Sequence, residues 1–310
     1  MKIDIVIPSK ISMQELEPLL DSIEENYSEI LGEVIVVFNP ERSPEEGTKR
    51  QRQYPLRVLN LKRSGVNRAR NAGLTAAKNE IILFLDSDCR VANASFFAMH
   101  GQAHQSRDVA AFGGTYRSES KLGVFGETYE LLQLRWFLSG MGLNGGNKRL
   151  LGGNASYKTS ILRDNPFDES IEFGAAETEL NFRLSHLGYK LIGDPKCMVR
   201  HENPLTLRQL VSKAWAQGKN SGRFSLRDKI GDEGLITQER LSVEDRLESN
   251  RAIQMAADIY GLVFELGYCL GSRRSMVWYL CRTLFRKVHR RLSLFDAALE
   301  YRWRRALKRQ

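Results

Sequence analysis

Nowhere in the 310 residues do about 18 uncharged apolar residues follow one another, so no bilayer-spanning helix is expected. The amino terminus lacks the long apolar core of a secretory leader. Lys2-Ile3-Asp4-Ile5-Val6-Ile7-Pro8 reads straight into a strand with an acid in its midst. Cysteine is scarce: Cys89, Cys197, Cys269 and Cys281 show no Cys-x-x-Cys spacing, which argues against a cysteine-held metal. Reduced thiols in a cytoplasmic protein are the expected state. No internal repeat or low-complexity segment occurs, and the length suits one large domain or two modest ones.

The chain carries a net charge of +9, but the excess is local. From Arg273 to Gln310 there are twelve Lys or Arg against two acids, an excess of ten, so residues 1–272 sum to −1. A nucleic-acid partner for the whole protein is therefore not expected. Within this tail, Val277, Leu280, Cys281, Leu284, Phe285, Val288, Leu292 and Phe295 share one helical stripe. Arg282, Arg286, Lys287, Arg290 and Arg291 take the rest. That pattern fits a helix lying in an anionic membrane interface, where each basic residue adds about 1 kcal/mol. It equally fits a stripe packed on its own domain or on a second copy of the chain.

What is present in the first 90 residues is an alternation of strands and helices. Ile3–Ile7, Glu33–Phe38, Leu56–Leu59 and Ile81–Leu85 read as strands, with helices predicted over 13–31 and over Val66–Ala77. Such alternation implies parallel pairing through right-handed crossovers, hence a three-layer, mostly parallel α/β sheet. Residues 43–53 read as a turn with a short helix. Further on, Val109–Thr115 is strand-like, Gly123–Ser139 an amphipathic helix, and the glycine-rich 140–153 a mobile loop. Glu179–His186 is helical, Tyr189–Ile192 and Cys197–Val199 are short strands, and helices fill the chain from Thr206, broken by a charged linker near 228–247.

The buried strand Ile81–Leu85 delivers Asp86-Ser87-Asp88 at its carboxyl end, where ligands sit in open α/β sheets. Two carboxylates one residue apart suit a hard divalent cation with a phosphate as co-ligand. An ordinary strand-ending turn uses the same residues.

Five segments together resemble an inverting family-2 glycosyltransferase of the GT-A fold, over roughly residues 2–205. They are Ile5-Val6-Ile7-Pro8-Ser9, Gly65-Val66-Asn67-Arg68-Ala69-Arg70-Asn71-Ala72-Gly73, Asp86-Ser87-Asp88, Gly174-Ala175-Ala176-Glu177-Thr178-Glu179-Leu180, and Val199-Arg200-His201. The resemblance implies a catalytic domain over 1–205 with a helical, basic extension over 206–310. It implies transfer of a sugar from a nucleotide diphosphate donor, UDP first, to a hydroxyl of a glycan or lipid-linked acceptor. It places Mn2+ or Mg2+ on Asp88 and His201, although a solvated loop histidine is the plain alternative for His201.

In the family's acidic pattern the second position is the base that takes the acceptor proton, here Glu177. Two departures stand out: Glu replaces the usual Asp, and Ala176 replaces the acid before it. Glu179 is the rival, but its i,i+4 spacing to Arg183 also suits a helix-start ion pair. Pro8, Ser9, Asn39, Asn67, Arg70, Asp86 and Ser87 form the implied donor side, with a structural salt bridge as the competing role for Arg70. Phe38-Asn39 stands where family members carry an acid pair that reads the base. Gly153, Asn154, Glu179 and Trp215 form the implied sugar and acceptor side; a plain turn and a core tryptophan are the alternatives for Asn154 and Trp215. A nucleotidyltransferase would want a glycine-rich phosphate loop, and Pro8-Ser9-Lys10-Ile11-Ser12 has no glycine. A non-catalytic scaffold of the same fold is the other alternative, favoured by Phe38 and Ala176.

Overall fold

The computed structural model describes residues 1–40, 51–171, 173–224 and 237–272. The basic tail from Arg273, its apolar stripe, residues 43–50 and most of the charged stretch before 237 lie outside the described residues.

One eight-stranded sheet runs in the order β3-β2-β1-β4-β7-β6-β8-β5. β1 (Ile3–Ser9), β2 (Leu31–Phe38), β3 (Leu56–Asn60) and β4 (Ile81–Leu85) pair in parallel, as the strand–helix alternation predicts. Ile3, Ile5, Val6 and Ile7 of β1, like Ile81, Ile82, Leu83 and Leu85 of β4, have no exposed surface. Both sheet faces are therefore covered, the condition that makes such strands read as unbroken apolar runs. Beyond β4 the sheet is mixed. β7 (Asn154–Lys158) is antiparallel to both β4 and β6 (Val109–Arg117). β8 (Lys190–His201) lies parallel to β6, and β5 (Cys89–Val91) closes the far edge antiparallel to β8.

Asp4, an acid inside an apolar strand, is fully buried. Its carboxylate accepts from the backbone N–H of Lys78, Asn79 and Glu33 at 2.7, 2.9 and 2.8 Å. Burial alone would raise its pKa, but these donors together with the Asn79 amide hold it below the usual value. The residue staples β1 to the start of β2 and to the approach to β4. Gly32 is required beside it, since a Cβ there would fall 2.4 Å from Asp4 Oδ1.

α1 (Met13–Glu25) starts at a capping box between Ser12 and Glu15 and stops six residues before the predicted end, because Leu31 already belongs to β2. α2 (Val66–Ala76) approaches β1 closely: a Cβ on Gly73 would sit 2.3 Å from Val6 Cγ1. α3 (Phe96–Ala103) and α5 (Thr159–Asp164) are short helices that the sequence pattern does not mark. α4 (Gly123–Leu138) is buried around most of its circumference rather than amphipathic, because later helices cover the side the sheet does not. The glycine-rich 140–153 is held, not free. Asn147 N–H donates to Leu191 O at 2.9 Å, its amide donates to Phe137 O at 3.2 Å, and Leu150 and Leu151 are buried.

α6 (Ala176–His186) precedes β8, which is one continuous strand where two short ones are predicted. A bulge opposite Gly113–Thr115 absorbs the irregularity, and Gly114 admits no side chain there, its Cβ falling on Cys197 O. α7 (Leu207–Arg223), α8 (Gln238–Ser249) and α9 (Arg251–Ser272) follow; residues 238–247 of the predicted linker are thus helical. Val243, Leu247 and Ile253 join the same apolar core as the sheet. α7 and α9 touch backbone to backbone through Gly218, Gly222, Gly267 and Gly271. A Cβ on Gly218 would lie 2.1 Å from Phe264 O, and one on Gly271 2.0 Å from Lys219 O. No helix among the described residues is long and apolar enough to cross a membrane.

Under the sheet, His100 Nδ1 and His104 Nε2 both meet Ser156 Oγ, at 2.8 and 2.9 Å. Burial pushes their pKa values down to about 3 and about 4. Unfolded histidines take protons near pH 6.5 while these do not, so stability is intact above that pH and falls as the pH drops toward 4. By pH 5 each histidine costs about 2 kcal/mol. Urea melts at pH 7, 6 and 5 should show a steadily falling unfolding free energy, with a shallower fall in His100→Gln; a flat profile in the parent chain would contradict neutral burial.

Candidate active site

The acidic residues reach the edge of the sheet by one tight turn. After Leu85 the chain turns through Asp86-Ser87-Asp88, with Cys89 N–H donating to Asp86 O at 3.0 Å, and re-enters the sheet as β5. The ladder sets Cys89 opposite His201. Asp88, one residue earlier, therefore meets the imidazole: His201 Nε2 lies 3.2 Å from Asp88 Oδ2. The loop alternative for His201 is replaced by a strand residue that is only 6% exposed. Its ring stacks on Tyr116, centroids 4.7 Å apart.

Burial acts to raise the Asp88 pKa, but the His201 hydrogen bond and charge hold it below the ordinary value. Burial likewise opposes the charged form of His201, and Asp88 outweighs it, raising the imidazole. Asp86 moves the other way: burial raises its pKa, with Arg70 opposing and the Asp88 charge reinforcing. Cys89 Sγ stands within 4.8 Å of the Asp88 and His201 ligand atoms, yet burial pushes its thiol well above the ordinary value. An oxygen and an imidazole nitrogen, with Asp88 open to solvent, make a donor set suited to Mn2+ or Mg2+.

Arg70 joins this corner to α6. The close approach of α2 to β1 buries its guanidinium over the Phe167 ring, 5.2 Å from the centroid. Nη2 lies 3.7 Å from Asp86 Oδ1 and Nη1 lies 3.8 Å from Glu177 Oε2. Glu177 occupies the first turn of α6, which begins after two left-handed residues, Gly174 (φ 72°) and Ala175 (φ 63°). For an alanine that conformation costs about 1–2 kcal/mol, so the turn is held by its surroundings. α7 supplies the hold: Asn220 donates to Phe173 O at 2.6 Å, and Gly174 lies against Gln217.

Gly152 and Gly153 line the same corner because nothing larger fits. A Cβ on Gly152 would meet Arg70 Nη2 at 2.7 Å, and one on Gly153 would meet Asp86 Oδ2 at 2.2 Å. Tyr116 fixes both sides: it accepts from Gly153 N–H at 2.7 Å and donates to Asp86 Oδ2 at 3.3 Å.

The structure thus brings together Asp86, Asp88, His201, Arg70, Glu177 and Gly153. Pro8 and Ser9 end β1 at the carboxyl edge, but the Ser9 hydroxyl closes its own turn on Ile11 O at 2.9 Å. Asn39 accepts from Gly65 N–H at 3.0 Å and turns its amide toward Ser9 O at 3.4 Å, so it braces two loops. Asn67 donates to Asp168 O at 2.7 Å, while its Oδ1 has no partner. Ser87 sits partly exposed at the turn. Asn154 is buried inside the sheet, its amide donating to Thr115 O and Cys197 O at 3.0 and 2.9 Å. Glu179 accepts from Arg183 Nε at 2.9 Å as an i,i+4 pair. Trp215 is 41% exposed on α7 rather than a core residue. Sequence reasoning misses Tyr116, which carries no local signal. It also misses Lys213, whose signal is a charge on the core-facing side of α7 near Leu210 and Ala214.

The family model for glycosyl transferase family 2 matches residues 4–167. The chain belongs to that family. No curated protein sequence matches it. Among solved structures, a mannosyltransferase of Pyrobaculum calidifontis in complex with GDP-Man and Mn2+ is similar at 15% identity and TM-score 0.58, over 84% of this chain and 73% of that one. TarS 1–349 of S. aureus matches at 15% identity and TM-score 0.50, covering 86% and 81%. Glucosyl-3-phosphoglycerate synthase of Mycobacterium tuberculosis, in complex with Mn2+, UDP-Glc and glycerol 3-phosphate, matches at 20% identity and TM-score 0.50, covering 73% and 81%. These likenesses carry the GT-A fold to this family-2 chain.

Gly153→Ala places a methyl group where the Asp86 carboxylate stands. Mn2+ affinity, read by calorimetry, is expected to fall about 10- to 100-fold, the weight of disturbing groups that orient a metal site. Circular dichroism should remain that of the parent chain, and unchanged Mn2+ affinity would show that Asp86 moves aside freely.

Proposed function

We propose that this family-2 glycosyltransferase is metal-dependent and inverting. It moves one sugar from a nucleotide diphosphate donor, a UDP-sugar in first place, to a hydroxyl of a glycan or lipid-linked acceptor. The observation that carries this reading is the buried guanidinium of Arg70 between Asp86 and Glu177, 3.7 and 3.8 Å from them, beside the Asp88–His201 pair. The metal carboxylates and a separate carboxylate thus share one corner but keep distinct positions, as a one-step displacement requires.

Asp88 and His201 would hold Mn2+ or Mg2+, and Asp86 would lie beside it toward the donor. Such an ion, when bound, supplies Lewis-acid stabilisation of the departing diphosphate. Glu177 accepts the proton of the acceptor hydroxyl as its oxygen attacks the anomeric carbon. Arg70 keeps that carboxylate aimed at the site, and the fixed turn at Gly174–Ala175 sets where the first turn of α6 begins. Glu179 is engaged by Arg183 and is given no part in the transfer. Asn39 is occupied in bracing Gly65, which leaves backbone groups at the ends of β1 and β2 to meet the base. GDP- as well as UDP-sugars therefore belong in the assay, as the donors named for the similar structures also indicate.

On this reading residues 1–205 carry catalysis and 206–310 an accessory extension that works at the cytoplasmic face of a membrane. In support, α9 leaves Met255, Leu262 and Leu270 exposed on one side, and the strongly basic segment follows it directly.

Sugar transfer or donor hydrolysis with added Mn2+ should disappear in EDTA. Glu177→Gln should lower turnover by about 10²–10⁴-fold, the usual weight of a general base, with donor binding retained. Near-parental turnover in that variant would remove Glu177 from its role. In flotation with anionic liposomes, the full chain should rise and a chain ending at Arg274 should not; equal behaviour removes the membrane from the reading.

A further inference from the structure

On α7, Lys213 lies next to Ala214 and one turn beyond Leu210, both buried; Leu210 packs with Tyr129 of α4 and Ala256 of α9. Its Nζ stands 5.1 Å from the Tyr129 ring centroid and 5.3 Å from that of Phe173. Tyr129 is itself fixed, accepting from Gln217 Nε2 at 2.9 Å, and Phe173 is tied to Asn220. The two rings therefore hold the ammonium in place without using its N–H donors. Among the described residues Lys213 makes no hydrogen bond and no ion pair; its charge is felt at Asp88, Asp86 and His201.

A half-desolvated ammonium with three open donors is costly unless an anion or water meets it. Ordinary packing would let so flexible a side chain reach the nearest carboxylate; here aromatic faces position it short of one. Phe173 sets the ammonium beside the turn that leads into α6, and the charges it feels are those of Asp88 and Asp86, the two aspartates of the turn after β4.

We propose that Lys213 is a catalytic residue that binds the terminal phosphate of the nucleoside diphosphate as it leaves. The proposal rests on the donor reading above. In the displacement, the bond between the anomeric carbon and the β-phosphate oxygen breaks and its electron pair stays on that oxygen. The acceptor oxygen forms the new bond to carbon, and its proton passes to Glu177. The nucleoside diphosphate thus gains one negative charge at an oxygen where Lys213 donates a charge-assisted hydrogen bond, stronger in the transition state than before it.

The test is calorimetry of the full chain with Mn2+ and UDP or GDP, set against UMP or GMP, in the parent, Lys213→Met and Lys213→Arg. In Lys213→Met the diphosphate should bind about tenfold more weakly or worse, the weight of one charge-assisted hydrogen bond, with the monophosphate unaffected. Lys213→Arg should recover most of the diphosphate affinity, and kcat in Lys213→Met should fall more than KM rises. Equal diphosphate affinity in the Met variant would leave Lys213 a packing residue and overturn the proposal. So would equal losses for mono- and diphosphate in both variants, which mark a general disturbance of the fold. If neither diphosphate binds the parent chain, the donor reading itself fails and takes this inference with it. If Glu177→Gln proves fully active while Lys213→Met discriminates as expected, the base is misassigned and Lys213 stands.

Discussion

One buried guanidinium governs the spacing of this site. Arg70 lies between the carboxylates of Asp86 and Glu177, and it is held from below by Phe167 and from behind by the packing of α2 on β1. Neither carboxylate is near enough for a full hydrogen bond with it, so the charge is shared rather than closed into a pair. A salt bridge at ideal distance would have locked one acid and released the other. The glycine at 73 belongs to the same device, because a larger residue would push α2 off Val6 and carry the guanidinium out of reach.

The carboxyl-terminal helices act on the other end of the corner. α7 grips the turn at 173–174 through Asn220 and Gln217, while Gln217 also joins Tyr129 of α4 and Tyr260 of α9. The glycines along α7 and α9 let two backbones touch, so the hold on that turn is stiff. What looks like an appendage in the sequence is packed into the support of the turn that leads to Glu177.

The legible parts of the chain are those in which burial writes a pattern. β1, β2, β4 and α2 show as apolar runs or helical periodicity, and Asp86 and Asp88 follow from their place at the end of β4, while Arg70, Glu177 and His201 are singled out by the resemblance to the family's motifs. Three kinds of feature are not legible. β5, and β7 behind its Gly152-Gly153 lead, are too short or too turn-like in composition to show period two. Asn39 and Asn154 are read as ligand contacts because an amide's partners depend on the fold, and here those partners are backbone groups far apart in sequence. Tyr116 enters the site from β6, an element whose approach to the turn after β4 is set by the mixed part of the sheet, and Lys213 belongs to α7, placed by its packing on other helices; strand–helix alternation foresees neither. The held loop at 140–153 belongs with these, since its anchor is a strand over forty residues later.

The Asp88–His201 corner is built on a strand of three residues at the margin of the sheet. So short a ladder opens far more readily than the body of the fold, since few contacts must be lost to free it. Peeling β5 from β8 would part Asp88 from His201 while β1, β2 and β4 stay intact. An ion gripping both residues would clasp that margin shut, so amide exchange at 89–91 would gauge occupancy more sensitively than melting of the whole protein.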